Sequence, residues 1–371
     1  MVDLASLRLG PRRGAKAAVS PIGLEFGDQR LNVVQLAHGS PPVIRAHACV
    51  PYPVARTELL KSPAALKSFL KQVFKSGGFA GRKVVTALPT EDVRIFSVTY
   101  QVRQGQSNDL AIAKLMEDRV GEDLSQFVID YVPVRTESRD GDRVAMVLLS
   151  ERSTVIGYLE QLRKAGLVIE ALEVTPVAIR RLVSTLISAG EAPQNVLVIN
   201  TGESKSHLTM ISGQRLLFDQ EIDFGEDSIL EQISVALDSP QDVAREIVFR
   251  QGLHPTQKTR AAPEGVDDTS STNMILTIVR PQFSNLVAEI RRSVLFASSE
   301  TRGGDVGHAF LMGGIAHWPG AAELLGSLAQ IPVSTPLPLP LAEESRSADG
   351  DAPQPDLVIP AGLALRGFAD A

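Results

Sequence analysis

Three short stretches of this chain carry residue types suited to holding a phosphate chain. The first is Glu25-Phe26-Gly27-Asp28-Gln29-Arg30, the second Asn200-Thr201-Gly202-Glu203-Ser204-Lys205, and the third the pair Gly313-Gly314. A glycine at a tight turn lets backbone N–H groups approach an anion with no Cβ in the way. Arg30 and Lys205 would offset phosphate charge, whereas Asp28 would oppose it. No Ser-His-Asp, Cys-His or close carboxylate pair stands out for nucleophilic or acid–base chemistry. The six histidines show no metal-ligand spacing and are read as non-ligands.

The elements around these stretches repeat. Ile22–Phe26 runs through Gly27 into Leu31–Leu36, and Val196–Ile199 runs through Gly202 into His207–Ile211. Each unit is an apolar strand, a glycine turn and a second strand, and a polar turn then leads to a third strand. Two related lobes are therefore expected, each opening with a three-stranded meander whose first turn faces a shared cleft. Ser62-Pro63 predicts a helix start, with Leu66, Phe69, Leu70, Val73 and Phe74 inward. From Pro89 the texture becomes strand, helix, strand, strand, with an Asp-Gly turn in the Glu137–Asp142 linker. A helix is expected over Pro281–Ala297, and Phe310–Met312 is a strand ending in Gly313-Gly314 before Trp318, a packing anchor.

Boundaries follow from these changes. Residues 1–18 read as a disordered basic tail, 19–88 as the first lobe core and 89–150 as an inserted α+β subdomain. Residues 151–190 return to the first lobe, and 191–354 form the second lobe, with mobile loops near 254–272 and 334–354. Residues 355–371 are expected to form a helix packing on the first lobe. Apolar residues make up 44% of the 371 and charged residues 22%, an ordinary globular balance. A net charge of −6 argues against a nucleic-acid partner. The lone Cys49 excludes an internal disulfide and suits a reducing compartment. With no apolar leader and no span of about 18 apolar residues, a cytoplasmic location is expected.

The order glycine hairpin, glycine hairpin, strand-Gly-Gly-helix resembles the actin/Hsp70/sugar-kinase superfamily. Within it the chain resembles the PilM family, the actin-like proteins of type IV pilus assembly. The resemblance spans nearly everything after the tail. It rests on Ile22–Gly27, Val84–Pro89, Leu172–Pro176, Phe218–Asp227, Glu289–Ser293 and Ala361–Arg366, in that order. It implies an α/β, two-lobed actin-like fold (a duplicated RNase H-like core) with the α+β subdomain inserted in the first lobe. It also implies ATP with Mg²⁺ in the cleft, held by Glu25, Gly27, Asp28, Gln29, Arg30, Asn200, Gly202, Glu203, Ser204, Lys205, Gly313 and Gly314.

The departures from the superfamily's pattern point to a weakened ATPase with no catalytic residue to name. An Asp is expected two positions before each turn glycine. Glu25 places its carboxylate about 1.5 Å further out, and Asn200 has lost the charge. Near the ribose, where the family has an acidic residue and a lysine, this chain has Arg245 and Val248. The resemblance implies a cytoplasmic scaffold, recruited to the inner membrane by the N-terminal peptide of a PilN-like protein. Other platform or motor proteins and further copies of the chain are additional partners. The alternatives are an MshI- or GspL-like secretion or MSHA-pilus scaffold, or an actin-fold small-molecule kinase. The chain's end at Ala371 is read against an FtsA-like membrane helix or a GspL-like span beyond it.

Overall fold

The computed structural model describes residues 19–39, 42–121, 123–135, 141–190, 192–254, 268–298, 305–337 and 355–369. The expected tail at 1–18, the loop residues 255–267 and 338–354, and most of the Glu137–Asp142 linker lie outside them.

β1 (Ile22–Phe26), β2 (Arg30–Ala37) and β3 (Val43–Pro51) form an antiparallel meander. α1 (Arg56–Lys61) and α2 (Pro63–Ser76) follow, and β4 (Lys83–Ala87) returns parallel to β1. The α1 helix was not expected. It takes Ser62 as its C-cap, with the Ser62 N–H donating to the Leu59 carbonyl at 3.2 Å. Ser62 therefore makes no side-chain cap for α2, and Pro63 starts that helix because its φ is preset and it has no N–H to satisfy.

Next come β5 (Arg94–Tyr100), α3 (Asn108–Val120), β6 (Phe127–Arg135) and β7 (Arg143–Glu151). The three strands make a separate antiparallel sheet, ordered β5-β7-β6. Pro133 sits in β6, an outer strand, beside an irregularity in its pairing with β7, the kind of place where a strand tolerates a missing N–H. α4 (Arg152–Lys164), β8 (Val168–Glu173) and α5 (Thr175–Ser188) complete this half, with β8 parallel to β4.

The second half repeats the plan. β9 (Asn195–Thr201), β10 (Ser206–Ser212) and β11 (Arg215–Ile222) form the meander, and α6 (Glu226–Ala236) and α7 (Gln241–Gln251) follow. α8 (Asp268–Ser298), β12 (His308–Gly313), α9 (Ala321–Ala329) and β13 (Val333–Ser334) complete it. The sheet orders are β3-β2-β1-β4-β8 and β11-β10-β9-β12-β13, so the strands correspond one for one.

α8 corrects two expectations at once. It begins at Asp268, so residues 268–272 are helical rather than loop, and it passes through Pro281. The ring sits on the exposed face, and the carbonyl it strands belongs to exposed Thr277, where water can satisfy it. Ile275 and Val279 continue the buried stripe of Phe283, Leu286 and Ile290, which outweighs one lost bond.

α10 (Val358–Ala364) and α11 (Arg366–Ala369) end the described chain. All of α10 is buried, wedged between β1 and α5. A Cβ on Gly23 would come within 1.9 Å of the Pro360 carbonyl oxygen, and one on Gly362 within 2.1 Å of that of Ala178. Through α5 and α10 a single apolar cluster joins the two large sheets and takes in Val134, Val144, Met146 and Leu148 from one face of the three-stranded sheet, whose other face packs a smaller cluster against α3.

Candidate functional site

Glu25 near the end of β1 and Asn200 near the end of β9 occupy corresponding places. Across their hairpins, Glu25 pairs with Asn32 and Asn200 with His207. The turns that follow face each other over a cleft of about 320 Å³, at the small end of ligand sites. Glu25, Gly27, Asp28, Gln29, Arg30, Asn200, Gly202, Glu203, Lys205, Gly313 and Gly314 all line it. Ser204, exposed in its turn, does not.

The glycines have packing reasons as well as cleft positions. The Gly202 N–H donates to the Lys205 carbonyl at 3.0 Å, closing the turn. Gly313 has φ +83, and a Cβ there would lie 1.9 Å from the Thr201 carbonyl oxygen. A Cβ on Gly314 would lie 2.3 Å from Glu226 Oε2. Close approach of β12 to β9 and to Glu226 therefore excludes any larger residue at this pair.

The two turns touch. Asp28 Oδ2 accepts from the Glu203 N–H at 3.3 Å, and Gln29 Nε2 donates to Glu203 Oε1 at 3.1 Å. A backbone donor of the second turn is thus taken by a carboxylate of the first. The cations are similarly engaged. Arg30 pairs with Asp356 at 3.3 Å, Arg56 with Asp28 at 3.5 Å and with Glu91, and Lys205 with Glu221. Arg245 reaches Glu226 Oε1 at 2.6 Å, beside Trp318 Nε1, which donates to the same oxygen at 3.1 Å. His317 Nε2 is 2.9 Å from Asp356. The cleft neutralises most of its own charge.

Glu25 is held in an unusual state. Burial pushes its carboxyl up to about 8, the Asn32 amide at 3.3 Å pulls the other way, and Asp356 and Asp28 add to the rise. At neutral pH it is mostly protonated. With Asn200 uncharged and Asp28 engaged by Arg56 and the Glu203 N–H, the residues do not form a set suited to Mg²⁺, which favours ionised carboxylates. The cleft's glycine turns and size suit a small anion better than a metal complex.

Beneath the second turn lies a polar group with no counterpart in the first lobe. His207 Nδ1 is 2.9 Å from Asp219 Oδ2, and the Thr209 hydroxyl donates to Asp219 Oδ1. The Asp219 side chain is 1% exposed.

A second concavity, of about 260 Å³, lies between the three-stranded sheet and the first large sheet. Val128 and Val132 of β6, Leu148 of β7, and Leu172, Val174 and Val177 give it an apolar floor. Asp130, Glu173 and Arg366 supply its polar groups. Both β6 and β8 are outer strands of their sheets. Glu173 is gripped by Arg181 at 2.8 and 3.0 Å and by Arg366, tying this wall to the C-terminal helices.

Several of these residues carried no sequence signal. Arg56 and Asp356 enter the cleft from distant segments, and Asp219 is one acidic residue among several near the third strand. His207 was legible only through register, as the residue facing Asn200. Arg245 is in the cleft as expected, whereas Val248 is fully buried in the second lobe's core, because it lies on the inward stripe of α7.

Two matched sheets closing on a glycine-lined cleft define an actin-like ATPase fold. The chain also matches the family of type IV pilus assembly protein PilM over residues 23–368, and it belongs to that family. Its role accordingly lies in type IV pilus assembly. It is similar in fold to a solved structure titled "PilM-PilN type IV pilus biogenesis complex", with a TM-score of 0.70 and 24% identity, covering 94% of this chain and 98% of that one. It also resembles ethanolamine utilization protein EutJ from Carboxydothermus hydrogenoformans, with a TM-score of 0.52 and 13% identity, covering 94% of this chain and 89% of that one. Among the described residues no helix is long and apolar enough to cross a membrane.

Proposed function

We propose that this protein is a cytoplasmic scaffold of the pilus assembly platform, brought to the inner membrane by the N-terminal peptide of a PilN-like protein. The observation that carries this reading is the apolar groove between two outer strands, β6 and β8. An extended peptide can add to a free sheet edge through its backbone while alternate side chains fill apolar pockets. Val128, 38% exposed, is a large apolar side chain presented there without a covering element. The similar solved structure, a PilM-PilN complex, supports the choice of partner. Residues 89–150 act as one wall of the groove, and the cleft takes a nucleotide as ligand more than as substrate.

Calorimetry with the synthetic N-terminal peptide of the PilN-like protein encoded alongside tests the groove. Saturable binding is expected, and Val132→Asp should weaken it by at least about tenfold, since burying one aliphatic side chain contributes about 1.5–3 kcal/mol. An affinity unchanged by Val132→Asp, or no binding, would sink the groove assignment.

A further inference from the structure

We infer that His207 is the phosphate contact of this cleft, its Nε2 meeting the terminal phosphate of a nucleotide without a metal ion between them. The inference rests on the cleft's being a nucleotide site. Its first support is the duplication. In the first lobe the ionisable group is on the leading strand, Glu25, with Asn32 opposite it. In the second lobe the amide is on the leading strand, Asn200, and the ionisable group, His207, is opposite. Between the corresponding pairs the amide and the ionisable group have changed strands, and the ionisable group is an acid in one lobe and a base-bearing ring, able to donate to an anion, in the other.

The second support is how the ring is held. A buried carboxylate accepts hydrogen bonds and cannot donate, so the contact with Asp219 fixes a proton on Nδ1. Thr209 occupies the other carboxylate oxygen, which leaves Asp219 no freedom to turn away. Nε2 is then the ring's remaining polar atom, and His207 belongs to the cleft wall and to a narrow recess beside it. Among the described residues none hydrogen-bonds Nε2. His317, by contrast, spends its Nε2 on Asp356, and Arg30, Arg56, Lys205 and Arg245 are all in ion pairs.

The surroundings favour the charged ring. Asp219 and Glu221 face it from β11, and Lys205 faces it from the turn. The recess walls from β9, α5 and residues 88–95 bring only uncharged side chains, among them Asn200, Thr175, Thr90 and Val93. Burial lowers the ring's affinity for a proton, but the bond to Asp219 and the carboxylate charges outweigh it, leaving the pKa above its ordinary value. An imidazolium N–H donated to a phosphate oxygen is a charge-assisted bond of the strong kind. It supplies positive charge where the set unsuited to Mg²⁺ does not.

The test is ATP binding by calorimetry with EDTA present, at about pH 6 and about pH 8.5, on either side of the imidazole range. Wild-type protein is expected to bind ATP without Mg²⁺, more tightly at the lower pH. His207→Gln should lose about tenfold in affinity at the lower pH and flatten the pH dependence. Asp219→Asn should move the midpoint of that dependence downward. Adenosine should bind both proteins alike, and inorganic phosphate as effective as ATP would assign the contact to free phosphate. Perturbation of the wild-type His207 Nε2 resonance by ATP reads the same contact without any variant. Wild-type binding that His207→Gln leaves unchanged, or a resonance ATP does not move, overturns the inference and leaves the nucleotide cleft standing. No ATP binding by wild-type protein under any condition overturns both.

Discussion

Glu25 sets a pH dependence that can be worked out by sign. Its folded pKa of about 8 lies above the ordinary 4.5, so the folded state holds the proton more tightly than the unfolded chain. Where the native state binds more protons, stability falls as pH rises, here between about 4.5 and about 8. Glu25→Gln keeps the shape and removes the titration. Its melting temperature should match wild type near the acid end of that window and exceed it by several degrees near pH 8, as read by thermal melts. A variant curve parallel to wild type would mean that the carboxyl is already ionised. Asp28 makes a different forecast. Its bonds to Arg56 and to the Glu203 N–H are partly exposed, and such pairs contribute only about 0–1 kcal/mol. Asp28→Ala should leave the melting temperature nearly unchanged while speeding hydrogen exchange at the Glu203 amide, and unaltered exchange there would show that the turns do not hold each other.

Among the elements, α10 has the least tolerance. Its seven residues are buried, and Gly362 lies where a Cβ would meet the Ala178 carbonyl. Gly362→Val must push the helix off α5, at a cost of about 1–3 kcal/mol or more for overpacking. A melting temperature several degrees lower is expected, and a neutral result would mean that the helix is loosely seated. Trp318 tests another junction, where the segment after β12 meets α6. Trp318→Phe keeps most of the ring's packing but withdraws a donor from the buried Glu226 carboxylate, at about 1–3 kcal/mol. Urea denaturation reads that loss, and an undiminished midpoint would show Arg245 alone to be enough. The contrast with α8 is instructive. Pro281 reads locally as a helix start, yet the helix runs through it because its flanking residues 275–279 extend the same buried stripe. Residue-by-residue punctuation yields where packing on one face outweighs a missing hydrogen bond on the other.

Across the whole molecule, the two large sheets and one face of the three-stranded sheet share one apolar cluster, while α3 packs only in a small cluster against that sheet's other face. A small separate core opens at lower free energy than a large shared one. In native-state hydrogen exchange the amides of α3 should therefore lose protection before those of β9 and β12, and simultaneous loss would argue for a single cooperative unit. Peptide bound in the groove should delay the exchange of β5–β7.

Much of this architecture was readable beforehand, because strand-turn-strand periodicity and turn glycines are local properties. They were enough to place the twin hairpins and the third glycine pair, and eleven of the twelve proposed cleft residues do converge on one cavity. What the sequence could not express was the pairing of charges. Asp356 neutralises Arg30 from the far end of the chain, and Asp28 occupies a backbone donor of the opposite lobe. Whether Arg30 is free or spent, and whether Glu25 is ionised, depends on which groups lie within a few ångströms and how much water reaches them. Those quantities exist only once the two lobes meet. By itself the sequence determined the duplicated lobes and the place of the cleft. The tertiary structure decided what the cleft can bind, since it set the partners and the solvation of every charge in it.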